Sequence, residues 1–321
     1  MSLKKVALLG EYTNGNYKVR IFDDGTKIRE TEEDEFLPVY PECMDVKITN
    51  CCNMNCPYCH ENSSVNGTHG DILNVKFIDT LLPYTELAIG GGNPISHPDI
   101  VNFLMALKQK KIVANVTVNQ THFLDNIDFL KMLCDDKLIY GLGISLTQHR
   151  EDLIDIITEK FPNAVLHVIN GIVEVDDLKK MYDKGLKVLI LGYKRFRKGK
   201  GYYSNTVRNK MKELYDELPN ISGKFDVVSF DNLAIEQLEV KRLLTPEQWE
   251  EFYMGNDGQF TMYVDLVDKT FARCSVANDR YDIQDNIVDM FQKIRNESTN
   301  KLETVISTAE VEFIPTKIIV E

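Results

Sequence analysis

What this chain lacks narrows it first. No apolar run approaches the roughly 18–20 residues that cross a bilayer, and the apolar part of the opening run, Met1 to Gly10, is too short for a signal peptide. A cytoplasmic protein with no membrane partner is expected. Positive charge is scarce: 37 Lys and Arg stand against 49 Asp and Glu, a net charge of −12. That balance argues against nucleic acid as a non-specific partner, while leaving room for a locally basic pocket. No tandem repeat or low-complexity tract occurs, which excludes a solenoid. Cysteine is sparse too. Seven residues, an odd number with no secretory segment, do not suit a disulfide framework.

Three of those cysteines lie in one short run, Thr49-Asn-Cys-Cys-Asn-Met-Asn-Cys-Pro-Tyr-Cys-His60. Cys52, Cys56 and Cys59, with three and then two residues between them, let one loop wrap three thiolates around a [4Fe–4S] cluster. Such a cluster has four irons, usually ligated by cysteine, so three ligands leave one iron open for chemistry. A structural zinc site is the competing reading. It needs four ligands; Cys51 or His60 could complete the set, but no second C-x-x-C or H-x-x-x-H pair follows. Cys51 reads as a bystander, and Cys43 and Cys134 read as structural.

The loop resembles the cluster-binding motif of the radical S-adenosylmethionine (radical SAM) superfamily. Tyr58, just before the last cysteine, and the short strand Val46 to Thr49 match as well. The resemblance implies that Cys52, Cys56 and Cys59 hold a [4Fe–4S] cluster whose open iron chelates the amino and carboxylate groups of S-adenosylmethionine. It also implies reductive cleavage to methionine and a 5′-deoxyadenosyl radical that abstracts a substrate hydrogen. The protein supplies placement, electrostatics and exclusion of water, and an electron donor such as flavodoxin or ferredoxin is implied.

Residues 1–40 read as a β meander, with strands near Val6–Leu9, Tyr17–Phe22 and Lys27–Thr31 separated by turn signals at Asn14-Gly15 and Asp23-Asp24-Gly25. From residue 45 short apolar runs alternate with helical periods. Strands are expected at 45–49, 86–89, 112–118, 140–146, 164–169 and 187–191, with helices at 71–82, 99–110, 123–135, 150–161 and 175–184. The intervals suit βαβ units and a parallel sheet. The fold class expected is α/β: six such units resemble the partial (β/α)6 TIM-like barrel of the radical SAM fold, over residues 41–221. Residues 222–321 read as a C-terminal α+β extension that closes or caps the barrel. It holds a seventh strand at 225–230, a capped helix start at Thr245, a hairpin across 260–274, a helix at 283–295 and a strand at 311–320.

Gly90-Gly-Gly-Asn-Pro94 follows the second barrel strand, where glycine lets backbone approach a ligand. It resembles the family's Gly-Gly-Glu-Pro motif, which receives the cofactor's ammonium group, with Asn93 in place of glutamate. The resemblance assigns Gly91, Gly92, Asn93 and Pro94 to S-adenosylmethionine. Asn119, Ser145, Ile169 and Gly171, at the ends of later strands, join them. Ser145 also reads as a serine satisfying its local backbone, and His167 as a core residue.

After the sixth strand, Lys194, Arg195, Arg197, Lys198 and Lys200 crowd a glycine-broken loop. Basic side chains there suit phosphate or carboxylate recognition, so an anionic small-molecule or peptide substrate is expected, with Lys194, Arg195 and Arg197 binding it. A solvated surface loop is the plainer alternative. Cys274, at the end of the predicted hairpin, is a candidate hydrogen donor to a substrate radical. The function expected is hydrogen abstraction by a radical SAM enzyme. A peptide-modifying enzyme, a glycyl-radical activase, and a zinc- or cluster-stabilised nucleic-acid module without catalysis stand as alternatives.

Overall fold

In Tyr17–Phe22 every second side chain is buried, which turns Tyr17, Val19 and Ile21 to one face. The turn before it needs Gly15. Its φ is +62°, and a Cβ there would stand 1.9 Å from the Leu37 carbonyl oxygen. The computed structural model describes residues 6–296. Its first sheet is an antiparallel meander of β1 (Leu8–Asn14), β2 (Tyr17–Phe22) and β3 (Lys27–Glu30), closed over a small core that includes Tyr12 and Phe260.

The second sheet carries the site. Its strands are β4 (Cys43–Thr49), β5 (Glu86–Gly91), β6 (Val113–Asn119), β7 (Gly141–Leu146), β8 (Val165–Ile169), β9 (Lys187–Leu191), β10 (Val227–Phe230), β11 (Thr261–Asp265), β12 (Thr270–Ala272) and β13 (Tyr281–Asp282). They lie in the order β10-β9-β8-β7-β6-β5-β4-β11-β12-β13. The run from β10 to β11 is parallel throughout, and β12 and β13 add antiparallel. Helices α1 (Ile100–Gln109), α2 (Gln120–Asp125), α3 (Ile127–Asp135), α4 (Glu151–Lys160), α5 (Val175–Lys179), α6 (Lys198–Tyr202), α7 (Asn205–Ile221), α8 (Asn232–Gln237) and α9 (Pro246–Phe252) connect them. Residues 287–296 are helical as well.

The six expected parallel strands stand side by side in chain order as β4 to β9, but they do not form a barrel by themselves: among the described residues the sheet is open, with ten strands and β10 and β13 as its edges. The reason lies in the C-terminal segment. β10 pairs with β9 on one side and β11 pairs with β4 on the other, so the segment widens the sheet at both ends. The helix expected at 71–82 is only a 3-10 stretch, Lys76–Thr80. Asp71 turns its carboxylate onto the Asn74 amide and backbone N–H, and that local bond competes with a helix start. The strand read at 311–320 lies outside the described residues.

Alternate side chains on the parallel strands, such as Met44, Val46 and Ile48 on β4 and Leu87 and Ile89 on β5, are buried under the helices in one core. The intervening residues form the other face, open at Asn119, Ser145 and His167 but filled at the β4–β11 end by the buried Lys47, Tyr263 and Asp265. Register aligns them in rows: Tyr263 with Asp45 and Ala88, Asp265 with Lys47, and Asn119 with Ser145 and His167.

Candidate active site

The loop bearing the three cysteines leaves the C-terminal end of β4, the usual place for chemistry in parallel α/β proteins. It is folded on itself by backbone bonds from Asn50 N–H to Thr68 C=O (2.9 Å), Cys52 N–H to Ser64 C=O (2.8 Å) and Cys59 N–H to Cys56 C=O (3.2 Å). The turn leaving β5 docks directly onto it. Gly92 N–H donates to Thr49 C=O at 2.7 Å and Asn93 N–H to Cys51 C=O at 2.8 Å. Only glycine fits at 92, where a Cβ would stand 2.3 Å from the Cys51 carbonyl oxygen. Cysteine loop and glycine turn, 40 residues apart in sequence, are thus one object.

Cys52, Cys56 and Cys59 are all half-buried. Burial pushes up the Cys52 and Cys56 thiols, and Cys59 beside both adds to the rise. The thiolate form that ligates a cluster is therefore disfavoured until a cationic centre offsets that burial and mutual repulsion. Cys51 turns away, its Sγ 3.8 Å from the Val65 carbonyl oxygen. Among the described residues no three His, Cys, Asp or Glu side chains, the three cysteines included, converge on a single metal ion.

Asn93 supplies the fit for the second cofactor. Its Oδ1 is buried with no hydrogen-bond partner. A buried acceptor of that kind is costly unless a ligand donates to it, and an ammonium group would. Asn119 and Ser145 are register neighbours at the ends of β6 and β7, but the Asn119 Oδ1 already caps α2 through Thr121 N–H at 2.9 Å. Ile169 ends β8. Gly171, at φ +84°, is packed against Val207 and Met211 of α7.

The basic loop after β9 reaches across to the same place. Lys194 Nζ donates to Ser275 Oγ at 2.9 Å and lies 3.5 Å from His60 Nε2. Arg197 donates to the Glu61 carbonyl oxygen at 2.9 Å. Lys198 reaches Asn55 Oδ1 at 2.9 Å and the Ser63 carbonyl oxygen at 3.2 Å. Arg195 stays exposed, stacked over the Tyr203 ring. Arg197, expected to bind substrate, is therefore tied to the cysteine loop.

Sequence reasoning missed the buried charges beneath. Lys47 and Asp265, both 1% exposed, pair at 2.8 Å, and Lys47 also stands 3.3 Å from Glu61. Glu61 takes a long bond from the Tyr263 hydroxyl and lies 3.2 Å from His60. Burial opposes its charge, but His60, Lys47 and Lys194 outweigh burial and hold its carboxyl down at about 2. The one signal available was a lysine set between Val46 and Ile48 in a short strand. His167, read as a core residue, is partly buried in the Ser145 row, on the face opposite the helix-covered core. Cys274 is also less isolated than the sequence suggested. Burial, and after it the charge of the nearby Asp257 carboxylate, pushes its thiol up.

No family model and no curated protein matches the chain. Solved structures do. SuiB of Streptococcus suis bound to its precursor peptide SuiA superposes with a TM-score of 0.56 at 14% identity, over 79% of this chain and 65% of that one. SuiB bound to S-adenosylmethionine gives 0.51 at 14%, over 77% and 64%. SuiB described without a ligand gives 0.53 at 11%, over 87% and 86%. The chain thus spans just under two thirds of the two ligand-bound chains. At these identities the likeness is one of fold, and the fold is that of SuiB.

Proposed function

We propose that this chain is a radical SAM enzyme that modifies a peptide. One observation carries the reading: a three-cysteine loop is bonded, backbone to backbone, onto a glycine turn whose Asn93 Oδ1 is buried without a donor. Cys52, Cys56 and Cys59 would hold the [4Fe–4S] cluster. Gly91, Gly92, Asn93 and Pro94 would receive the amino end of S-adenosylmethionine, with Asn119, Ser145 and Ile169 along the rest of it. When bound, these groups supply a carbon-centred radical that takes a hydrogen atom from the substrate. The chain's own part is to present the Asn93 acceptor, keep the turn pressed on the loop, and shield the open face from water.

The fold shared with a SuiB structure that holds a precursor peptide favours a peptide over a nucleotide or phosphorylated metabolite. Lys194 and Arg195 remain to meet an anionic group on it, and Cys274 to return a hydrogen atom. Flavodoxin or ferredoxin would deliver the electron, in the cytoplasm. The test is direct. Protein reconstituted without oxygen and given dithionite and S-adenosylmethionine should release 5′-deoxyadenosine, and Cys56→Ala should not. Colourless, iron-free protein that yields no nucleoside would overturn the reading.

A further inference from the structure

The loop after β9 does more than border the open face. Three of its side chains leave it, and all three end on the cysteine loop or on what that loop touches. Arg197 and Lys198 between them hold the carbonyl oxygens of Glu61 and Ser63 and the side chain of Asn55, so they span the three cysteines' loop on both sides of Cys56 and Cys59. The backbone is shaped for this. Arg197 sits at φ 47° and ψ −122°, a left-handed conformation that side chains other than glycine rarely adopt. Gly199 is buried where a Cβ would stand 2.3 Å from the Lys194 carbonyl oxygen and 3.3 Å from that of Tyr58. Tyr193 anchors the loop to β9 by donating to the Gly199 carbonyl oxygen at 2.8 Å, and Tyr202 packs on Tyr58, ring centres 5.7 Å apart.

We propose that this loop is a basic strap that fixes the cluster-binding loop and tunes the cluster's reduction potential, with Arg197 and Lys198 as its positioning residues. The inference rests on the reading of Cys52, Cys56 and Cys59 as cluster ligands. It changes the meaning of the basic run, whose charge serves the metal centre before it serves any substrate. Partners that orient ligating residues commonly alter metal affinity by about 10–100-fold when removed. Nearby positive charge favours the reduced cluster, because the added electron is stabilised by it.

The experiment uses full-length protein reconstituted without oxygen. Iron loss to a chelator is timed, the midpoint potential is read by redox titration of the electron paramagnetic resonance signal, and Tm controls for folding. Lys198→Met and Arg197→Met should lose iron about tenfold faster than the parent and shift the potential to more negative values. Lys198→Arg should restore both. Asn55→Ala, which removes an acceptor on the other loop, should also speed iron loss. Arg197→Gly relaxes the backbone yet should lose iron as fast as Arg197→Met. Lys212→Met, an exposed lysine paired with Asp216 on α7, controls for net charge. Parent-like iron retention and potential in Lys198→Met and Arg197→Met overturn the strap while the cluster reading stands. Parent protein that takes up no iron overturns both.

Discussion

At the scale of single residues, Asn93 is where sequence and structure meet most closely. Its orphaned Oδ1 costs about 1–3 kcal/mol in the absence of a donor. Asn93→Leu should therefore raise the Tm of metal-free protein. The same change should weaken S-adenosylmethionine binding to cluster-loaded protein by about tenfold or more, some 1.4 kcal/mol. Tighter or unchanged cofactor binding would sink the assignment. His167 supports a second prediction. Burial lowers its pKa from 6.5 to about 4. The unfolded chain then binds more protons than the folded one between those values, so stability is full above about pH 6.5 and falls as pH drops toward 4. The loss is at most about 3 kcal/mol, trimmed by the residue's partial access to the open face. Urea unfolding at pH 7 and pH 4.5 should show His167→Gln losing distinctly less stability than the parent. Equal losses would refute the placement. The cysteines and the glycine turn were legible because their spacing is local. Glu61, Lys47 and His167 were not, because their meaning depends on partners such as Asp265, 218 positions away from Lys47.

Among the elements, the β4–β11 pair is the most consequential contact that the sequence concealed. Register sets Lys47 opposite Asp265, and the two charges form a dry ion pair beside Glu61. Removing one member of such a group strands the others and typically costs about 3–5 kcal/mol. Lys47→Met, close in volume, should reduce the free energy of unfolding by that amount, read from urea denaturation. A loss under about 1 kcal/mol would mean that the pair does little. Strand positions from 86 to 191 were readable from alternation and from the glycine- and helix-rich intervals. Two helical readings fared worse. The helix expected at 123–135 is two, α2 and α3, split at Asn126 with φ −137°, and that expected at 175–184 stops at Lys179. Periodicity marks the buried stripe and does not mark where local bonds end a helix.

Taken whole, the molecule is a sheet assembled from distant parts of the chain. β4, which carries the cysteine loop, lies inside the sheet only because β11 arrives from beyond residue 260 to cover it, whereas β5, which carries the glycine turn, is held between β4 and β6. β9 is likewise interior only because β10 covers it. The division at residue 221, drawn where the alternation of strands and helices loosens, cuts through one hydrophobic core: Met262, Val264 and Phe271 belong to the same cluster as Met44 and Leu87. A chain ending at Gly223 would leave β4 and β9 as long unpaired edges, which invite edge-to-edge association. It would also strip Lys47 of Asp265 and uncover the apolar residues that β11 and β12 shield. Such a chain should be recovered as aggregates, or as a soluble form without a cooperative thermal transition, and should take up no iron. Size-exclusion chromatography, circular dichroism and iron analysis would check this. A monomeric, cooperatively melting fragment that binds iron as the full chain does would establish residues 41–221 as a self-sufficient unit and the remainder as a cap.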